Sequence, residues 1–330
     1  MGLQVLRAVS KAATGSKDSH QEAIVVVEVI LVALAIIVYS LKLYTRCFIL
    51  RRVGIDDYIM GVAVALSLGL SIIACIGTKY GWGSHIQDIP FQNFTLLLFL
   101  SWLTQVIFNA CAALVKISIL VFYLQLAEDS IIRGFRIVVF CAIGVITSFF
   151  IAYTFVTIFQ CNPVQAYWDP FTMKTKCLDP SLGLLLHGIL NSVFDFFVFF
   201  LPMPIVWKLQ IIQRQRFELL GVFAIGFVAC ILGAIRIHFL MICQQSSDSP
   251  WAGYYFWCFQ CAEINIGIVC ASLPPLKALL KHILHKPAMD ATGASDTNDS
   301  RRRWAIFQNS KMSSIQLLDQ EHARDSAVKG

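Results

Sequence analysis

Residues 94–124 read FTLLLFLSWLTQVIFNACAALVKISILVFYL, a run in which Lys116 is the single charged side chain. The hydrocarbon core of a bilayer is about 30 Å thick, and about 20 helical residues cross it. Six further segments of similar length and character occupy residues 23–44, 57–78, 137–160, 183–207, 218–242 and 253–276. Backbone groups in lipid must be satisfied within their own segment, so we predict an all-α integral membrane bundle of seven transmembrane helices.

The composition supports this fold class. The chain is 57% hydrophobic and 14% charged, whereas roughly 25% of the residues in a soluble domain are charged. We divide the chain into an extracellular segment (1–22), a seven-helix membrane domain (23–281) and a mostly disordered tail (282–330). We expect a multi-pass protein of the plasma membrane or an internal membrane, in contact with the lipid bilayer and without a nucleic-acid partner.

The distribution of basic residues predicts the orientation. Counted with Lys42 at the end of span 1, the loops after spans 1, 3 and 5 carry nine Lys and Arg residues, and the loops after spans 2, 4 and 6 carry three. The nine are Lys42, Arg46, Arg51, Arg52, Arg133, Arg136, Lys208, Arg214 and Arg216. Because Lys and Arg accumulate on the cytoplasmic side, we expect the N-terminus outside and the tail in the cytoplasm. The outer loops then contain Asn93, a glycosylation candidate in the sequence Asn-Phe-Thr.

Two cysteines stand apart from those inside the spans. Cys161 and Cys177 both fall in the loop between spans 4 and 5, which the charge bias places in an oxidising compartment. This favours a disulfide between them, and the alternative is two free thiols.

Several polar residues lie deep within the predicted spans, where charges are costly and seek partners. We predict the ion pairs Lys116–Asp195 and Arg236–Glu263. His187, Asn191 and Asp195 recur every four residues and share one face of span 5. The seven candidates for a ligand cavity are His85, Lys116, His187, Asn191, Asp195, Arg236 and Glu263. The alternative interpretation is that these residues only hold the helices together.

Asp56 and Asp57 open span 2 on the predicted cytoplasmic side. Carboxylates at this position cap free amide groups at a helix N-terminus. The competing interpretation is contact with a cytoplasmic partner. We also expect Pro202 and Pro204 to bend span 5.

The ordered set of motifs resembles the fungal rhodopsin-like integral membrane family over about residues 23–281. The matching residues are Asp56-Asp57-Tyr58, Gly81-Trp82-Gly83-Ser84-His85, Lys116, Tyr123, Cys161-Asn162-Pro163, Trp168, Cys177, Asn191, Asp195, Leu201-Pro202-Met203-Pro204, Trp207, Arg236, Glu263 and Leu273-Pro274. This family includes proteins assigned as G-protein-coupled receptors and membrane proteins of secondary-metabolite gene clusters. Pro275 departs from the family pattern and predicts a sharper end of span 7.

The resemblance implies a receptor-like protein that senses a small-molecule or lipid ligand, with a heterotrimeric G protein as partner. The chain lacks an Asp-Arg-Tyr triplet after span 3 and an Asn-Pro-x-x-Tyr motif in span 7. Retinal is not expected, because its Schiff base requires a desolvated lysine in the last span, and Lys277 follows Pro274-Pro275 at the predicted membrane boundary.

Other function classes stay open from the sequence alone. An intramembrane enzyme or accessory protein of secondary metabolism could use the buried carboxyl groups and His187 as acid and base. A zinc hydrolase would need His85, His187 and His238 together, and their spacing forms no local metal motif. A purely structural membrane protein is the third class.

Overall fold

The computed structural model describes residues 21–127, 133–169, 176–203 and 213–289, and seven long helices contain most of them. The helices are α1 (Gln21–Tyr44), α2 (Ile55–Tyr80), α3 (Phe94–Ala127), α4 (Arg133–Ile158), α5 (Pro180–Phe200), α6 (Gln213–Gln245) and α7 (Ser249–Met289). A π-helical turn, Thr45–Ile49, continues α1. The all-α fold with seven spans is therefore confirmed.

Each helix contains a stretch long and apolar enough to cross a bilayer. Large apolar side chains also remain exposed along the helices, among them Ile37, Phe140, Val145 and Leu182. Exposed apolar area on this scale would be costly in water and suits a surface that faces lipid acyl chains.

Prolines lie at the ends of two of the predicted spans. α5 ends at Phe200, shortly before Pro202, which cannot donate a backbone hydrogen bond, and the predicted continuation over residues 204–207 lies outside the described residues. α7 instead passes through Pro274 and Pro275 and continues to Met289. The expected sharp end of span 7 is therefore wrong: helices within a bundle tolerate prolines where neighbouring groups compensate for the lost backbone bonds.

A tight turn follows α2 and depends on glycine. Gly81 has φ 136° and Gly83 has φ 82°, values that side chains with a Cβ rarely adopt. The amides of Gly81 and Trp82 both donate to the Gly77 carbonyl, at 3.0 and 2.9 Å. The turn directs Trp82 back onto α2, where the ring is buried.

The loop between α4 and α5 contains a two-residue antiparallel ribbon, β1 (Cys161–Asn162) and β2 (Lys176–Cys177). Cys161 and Cys177 are paired across it and form a disulfide, as predicted.

The main core lies between α1, α2, α3, α4, α5 and α7, where Met60, Leu120, Val139 and Ile268 are almost fully buried. The compact unit that holds this core ends at Lys277. Several predictions fall on residues outside the described ranges. These include most of the segment 1–22, most of the tail 282–330, Pro204, Trp207 and Lys208.

Candidate functional site

Both predicted intramembrane ion pairs are present. The Lys116 Nζ atom of α3 lies 2.8 Å from Asp195 Oδ1 of α5. The Arg236 Nε atom of α6 lies 2.9 Å from Glu263 Oε2 of α7. Each pair joins two helices, and Lys116, Arg236 and Glu263 are buried.

Asn191 on α5 connects the two pairs. Its Oδ1 accepts a hydrogen bond from Lys116 Nζ at 3.0 Å. Its Nδ2 donates to Asp195 Oδ2 at 3.2 Å and to Glu263 Oε1 at 2.7 Å. The result is one continuous network of two cations, two carboxylates and one amide across α3, α5, α6 and α7, which we call the central network.

Aromatic rings shield the two cations of the central network. The Arg236 guanidinium lies 4.8 Å from the Phe108 ring centroid, and Lys116 Nζ lies 5.6 Å from that of Phe150. Arg236 is close to Glu263 but poorly aligned with it, since neither its Nε nor its Nη2 makes a hydrogen bond within the described residues. The pair is therefore held by charge attraction more than by a directed hydrogen bond.

A cavity of about 350 Å³ lies beside the central network, between α3, α5, α6 and α7. Lys116, Asp195 and Glu263 are its charged lining residues, and the remaining wall is mostly apolar, including Phe122, Phe199 and the alanines of α6 and α7. The Asp195 side chain is 20% exposed. Cavities of this size hold drug-sized molecules, with a few polar groups fixing the orientation.

The other four cavity candidates lie elsewhere. Asn191 and Arg236 belong to the central network but do not line the cavity. His187 is buried against the Tyr153 ring, 3.9 Å between centroids, and its Nε2 lies 3.1 Å from Asn109 Oδ1.

His85 lies at the end of the bundle where the α2–α3 and α6–α7 loops meet. Its Nδ1 is 2.6 Å from Asp248 Oδ2, and the ring stacks on Trp251. His85 does not line the cavity beside the central network, and Asp248 holds its ring where the two loops meet, so a role for His85 in ligand binding stays a prediction. His85, His187 and His238 form no metal cluster, and no group of three His, Cys, Asp or Glu side chains suited to a metal occurs among the described residues.

The partners of Asp56 and Asp57 were not predicted from the sequence. Lys42 Nζ lies 3.1 Å from Asp56 Oδ2 and 3.0 Å from Asp57 Oδ1. Arg46 pairs with the same two carboxylates, at 3.2 and 3.6 Å. We call these four residues the end cluster. A signal existed: two bases four residues apart close the first span, and two adjacent acids open the second.

The end cluster buries the two acids that open α2. Asp56 and Asp57 are 0% and 1% exposed and contact their partners inside the protein, and contact with a cytoplasmic partner stays a prediction. Asp57 does cap α2, because its Oδ2 accepts a hydrogen bond from the Gly54 amide at 3.0 Å. Asp56 instead reaches α3, where Gln125 Nε2 donates to its Oδ1 at 2.8 Å.

The disulfide loop packs on the first half of α3. The Gln105 amide donates to the Tyr167 hydroxyl at 3.2 Å, and burial raises the pKa of Tyr167. Asn93, in the neighbouring turn Phe91–Asn93, donates to the Tyr80 carbonyl at 3.4 Å. Its glycosylation stays a prediction.

Comparison with known proteins places this architecture in a family. The model of the fungal rhodopsin domain matches residues 41–282, which include α2 to α6, most of α7, the central network and the end cluster. The chain belongs to the fungal rhodopsin-domain family. It is therefore a multi-pass membrane protein, as its seven helices indicate.

Proteins similar to this chain come from several fungi. The chain is 26% identical over 233 residues to a SAT4 family membrane protein of Emericella nidulans, covering 71% of this chain and 59% of the relative. It is 23% identical to the Fugralins biosynthesis cluster protein 2 of Gibberella zeae, covering 74% and 62%. It is 24% identical to the Receptor GIN3 of Arthrobotrys oligospora, covering 59% and 46%. The chain thus spans about three fifths or less of these relatives. No solved structure matches.

The family name suggests retinal, but the described residues do not fit that cofactor. From Ser249 to Leu276 the seventh helix of this fungal rhodopsin-domain protein contains no lysine. The deep amine, Lys116, is in α3 and is engaged by Asp195 and Asn191. A Schiff base needs a free neutral amine facing the chromophore, so we derive no photochemical step.

Proposed function

We propose that this protein is a receptor-like membrane protein that binds a lipophilic small molecule with one polar group in the cavity beside the central network. The cavity carries this proposal: its wall is mostly apolar, and its polar groups converge at Lys116, Asp195 and Glu263. An apolar wall favours the body of the ligand, and the ionic groups orient its polar end.

The central network gives such a ligand a way to affect the helices. Lys116 and Glu263 line the cavity and also join α3 to α5 and α6 to α7. A ligand group that competes for either residue would favour one arrangement of the helices over another. One relative is named a receptor, and coupling to a heterotrimeric G protein is the output that we propose from the family resemblance.

Binding is testable with paired fluorescent probes. A dansyl-labelled alkyl amine and the matching dansyl-labelled carboxylic acid sample both signs of polar group. We expect at least one to bind the detergent-purified protein saturably, with blue-shifted emission. Ala229→Phe fills the cavity from α6 and should abolish binding, whereas Ala224→Phe adds the same ring at an exposed position of α6 and should not. Equal binding by both variants would refute the cavity as the site.

Coupling needs a separate measurement. Purified protein is added to a fungal heterotrimeric G protein, and the rate of GDP–GTP exchange is followed with and without the bound probe. We expect the probe to change the rate for the native protein but not for Lys116→Met. If adding the protein does not change the rate of GDP–GTP exchange, G-protein coupling is refuted, and the proposal of ligand binding is unaffected.

A second function has its own support. Relatives such as the Gibberella zeae protein are named for biosynthesis clusters, and Asn191 bridges the Asp195 and Glu263 carboxyl groups. An acid–base reaction on a pathway intermediate could use these two groups. Replacing the chromosomal copy with Asp195→Asn would then cause a metabolite to accumulate, detectable by mass spectrometry. An unchanged metabolite profile would contradict this function.

A further inference from the structure

Glu28 of α1 differs from the other buried carboxylates. Asp56, Asp57, Asp195 and Glu263 each lie next to a Lys or Arg side chain. Glu28 is 5% exposed, and none of the seven ion pairs among the described residues includes it. A buried carboxylate without a counter-charge is costly, so this group requires another source of neutralisation.

Neutral polar side chains from three other helices line the same cavity as Glu28, and among them the Cys261 thiol of α7 also hydrogen-bonds to its carboxyl group. The Ser71 hydroxyl of α2 donates to Glu28 Oε2 at 2.8 Å. The Ser67 hydroxyl donates to Asn265 Oδ1 of α7 at 2.8 Å, which leaves the lone pairs of Ser67 Oγ available. The buried Thr104 Oγ1 of α3 makes no hydrogen bond within the described residues. The set therefore contains more oxygen acceptors than its hydrogen bonds use.

These side chains line a small cavity of about 20 Å³. A void of this size holds about one water molecule or one small ion. Trp82 and Trp257 stack 4.3 Å apart between centroids and also line it. The cavity is separate from the ligand cavity described above, and the two share Ile264 alone as a lining residue.

We propose that this cavity binds a sodium ion. The ligands would be the Glu28 carboxylate and the oxygens of Ser67, Ser71, Thr104 and Asn265, all of which line the cavity. Hard oxygen ligands suit alkali and alkaline-earth cations. One carboxylate balances one positive charge, whereas calcium sites use six to eight oxygens, generally with several carboxylates. The single-water volume favours sodium over the larger potassium ion.

A bound ion would join four helices. Glu28, Ser71, Thr104 and Asn265 belong to α1, α2, α3 and α7. Asn265 is two residues from Glu263, so the sodium site and the central network share one segment of α7. The proposal does not depend on the ligand cavity being functional.

Thermal unfolding of the full-length protein in detergent tests the site directly. The protein is heated in sodium chloride, potassium chloride or choline chloride, each at about 150 mM to keep ionic strength equal. An ion that binds only the folded state stabilises that state against unfolding. We expect Tm to be about 3 °C or more higher in sodium chloride than in the other two salts. Equal Tm values in sodium and potassium chloride would overturn the assignment.

Matched variants separate a bound ion from general salt effects. Glu28→Gln keeps the shape of the side chain and should lose the sodium-dependent shift. Glu22→Gln makes the same change six residues earlier in α1, outside the cavity, and should keep the sodium-dependent shift. Retention of the sodium shift in Glu28→Gln would refute the site.

Two further measurements keep the sodium proposal testable if Glu28→Gln does not fold or if a proton neutralises Glu28. If Glu28→Gln does not fold, Thr104→Val removes an oxygen that makes no hydrogen bond at nearly constant volume, and should raise the sodium concentration for half-maximal stabilisation at least about threefold. An unchanged concentration would count against the proposal. A Tm that follows pH but not sodium would show that a proton neutralises Glu28, and would overturn it.

Discussion

At the scale of single residues, the central network depends on pairing. Arg236 is 3% exposed and Glu263 6% exposed, so both charges are largely removed from bulk water. Removing one partner leaves the other buried without compensation, which costs about 3–5 kcal/mol in comparable pairs. Removing both leaves no unpaired charge.

A double-mutant cycle on this pair should therefore be strongly non-additive. We expect Arg236→Leu and Glu263→Leu each to lower the free energy of unfolding by about 3 kcal/mol. The double variant should lose at least about 1 kcal/mol less than the sum of the two. Thermal unfolding in detergent measures all four proteins. If the losses of the two single variants add up to that of the double variant, the 2.9 Å contact between Arg236 and Glu263 contributes no coupling energy.

Glycines of α2 allow a second residue-scale prediction. A Cβ atom at Gly77 would lie 2.4 Å from the Trp82 ring, whereas one at Gly69 would meet nothing within 4 Å. Gly77→Ala should destabilise the protein by about 1–3 kcal/mol through overpacking. Gly69→Ala should be neutral or stabilise it by up to about 1 kcal/mol. Unfolding temperatures of the two variants in opposite order would contradict the packing of Trp82.

At the scale of elements, the features that could be predicted from the sequence are those that depend on the length of apolar runs and on the position of charged residues. The seven helices follow from runs of apolar residues, and the Lys116–Asp195 and Arg236–Glu263 pairs follow from isolated charges at matching depth. The end cluster was missed because Lys42 and Arg46 were assigned to a loop, whereas α1 and its π-helical turn continue through them. The surroundings of Glu28 were missed because serine and threonine carry no charge pattern.

The ribbon between α4 and α5 gives the prediction at this scale. The Cys161–Cys177 disulfide closes a loop with a sequence separation of 16 residues. Chain-entropy arguments assign about 3 kcal/mol to a loop of this length. We expect Cys161→Ser and Cys177→Ser to lower stability equally, and the double variant to lose no more than either single. Peptide mapping under non-reducing conditions that finds both thiols free to alkylation would disprove the bond.

At the scale of the whole molecule, the helices fix which loops share an end but not which end faces the cytoplasm. Because each span reverses direction, Asn93 and the Cys161–Cys177 ribbon lie at one end, and the end cluster lies at the other. The nine-to-three bias of Lys and Arg predicts that the end cluster is cytoplasmic.

Glycosylation mapping tests this orientation. The chain contains the sequons Asn93-Phe94-Thr95 and Asn298-Asp299-Ser300. We expect no glycan at Asn298. We expect a glycan on a sequon carried by a long polar insertion between Asp169 and Lys176, designed to hold the acceptor away from the membrane. A shift in gel mobility after endoglycosidase treatment shows whether a glycan is attached at either position. A glycan at Asn298 would show that the tail faces the lumen and would contradict the predicted orientation.

The end cluster also bears on how the protein is made. Lys42 and Arg46 neutralise Asp56 and Asp57, and Glu28 of the same first helix takes a hydrogen bond from Ser71. The polar groups of α1 thus find partners mainly on α2, the next helix to be synthesised. We expect the translocon to release α1 and α2 into the bilayer together as a hairpin, with α1 retained at the lateral gate until Asp56 and Asp57 emerge from the ribosome.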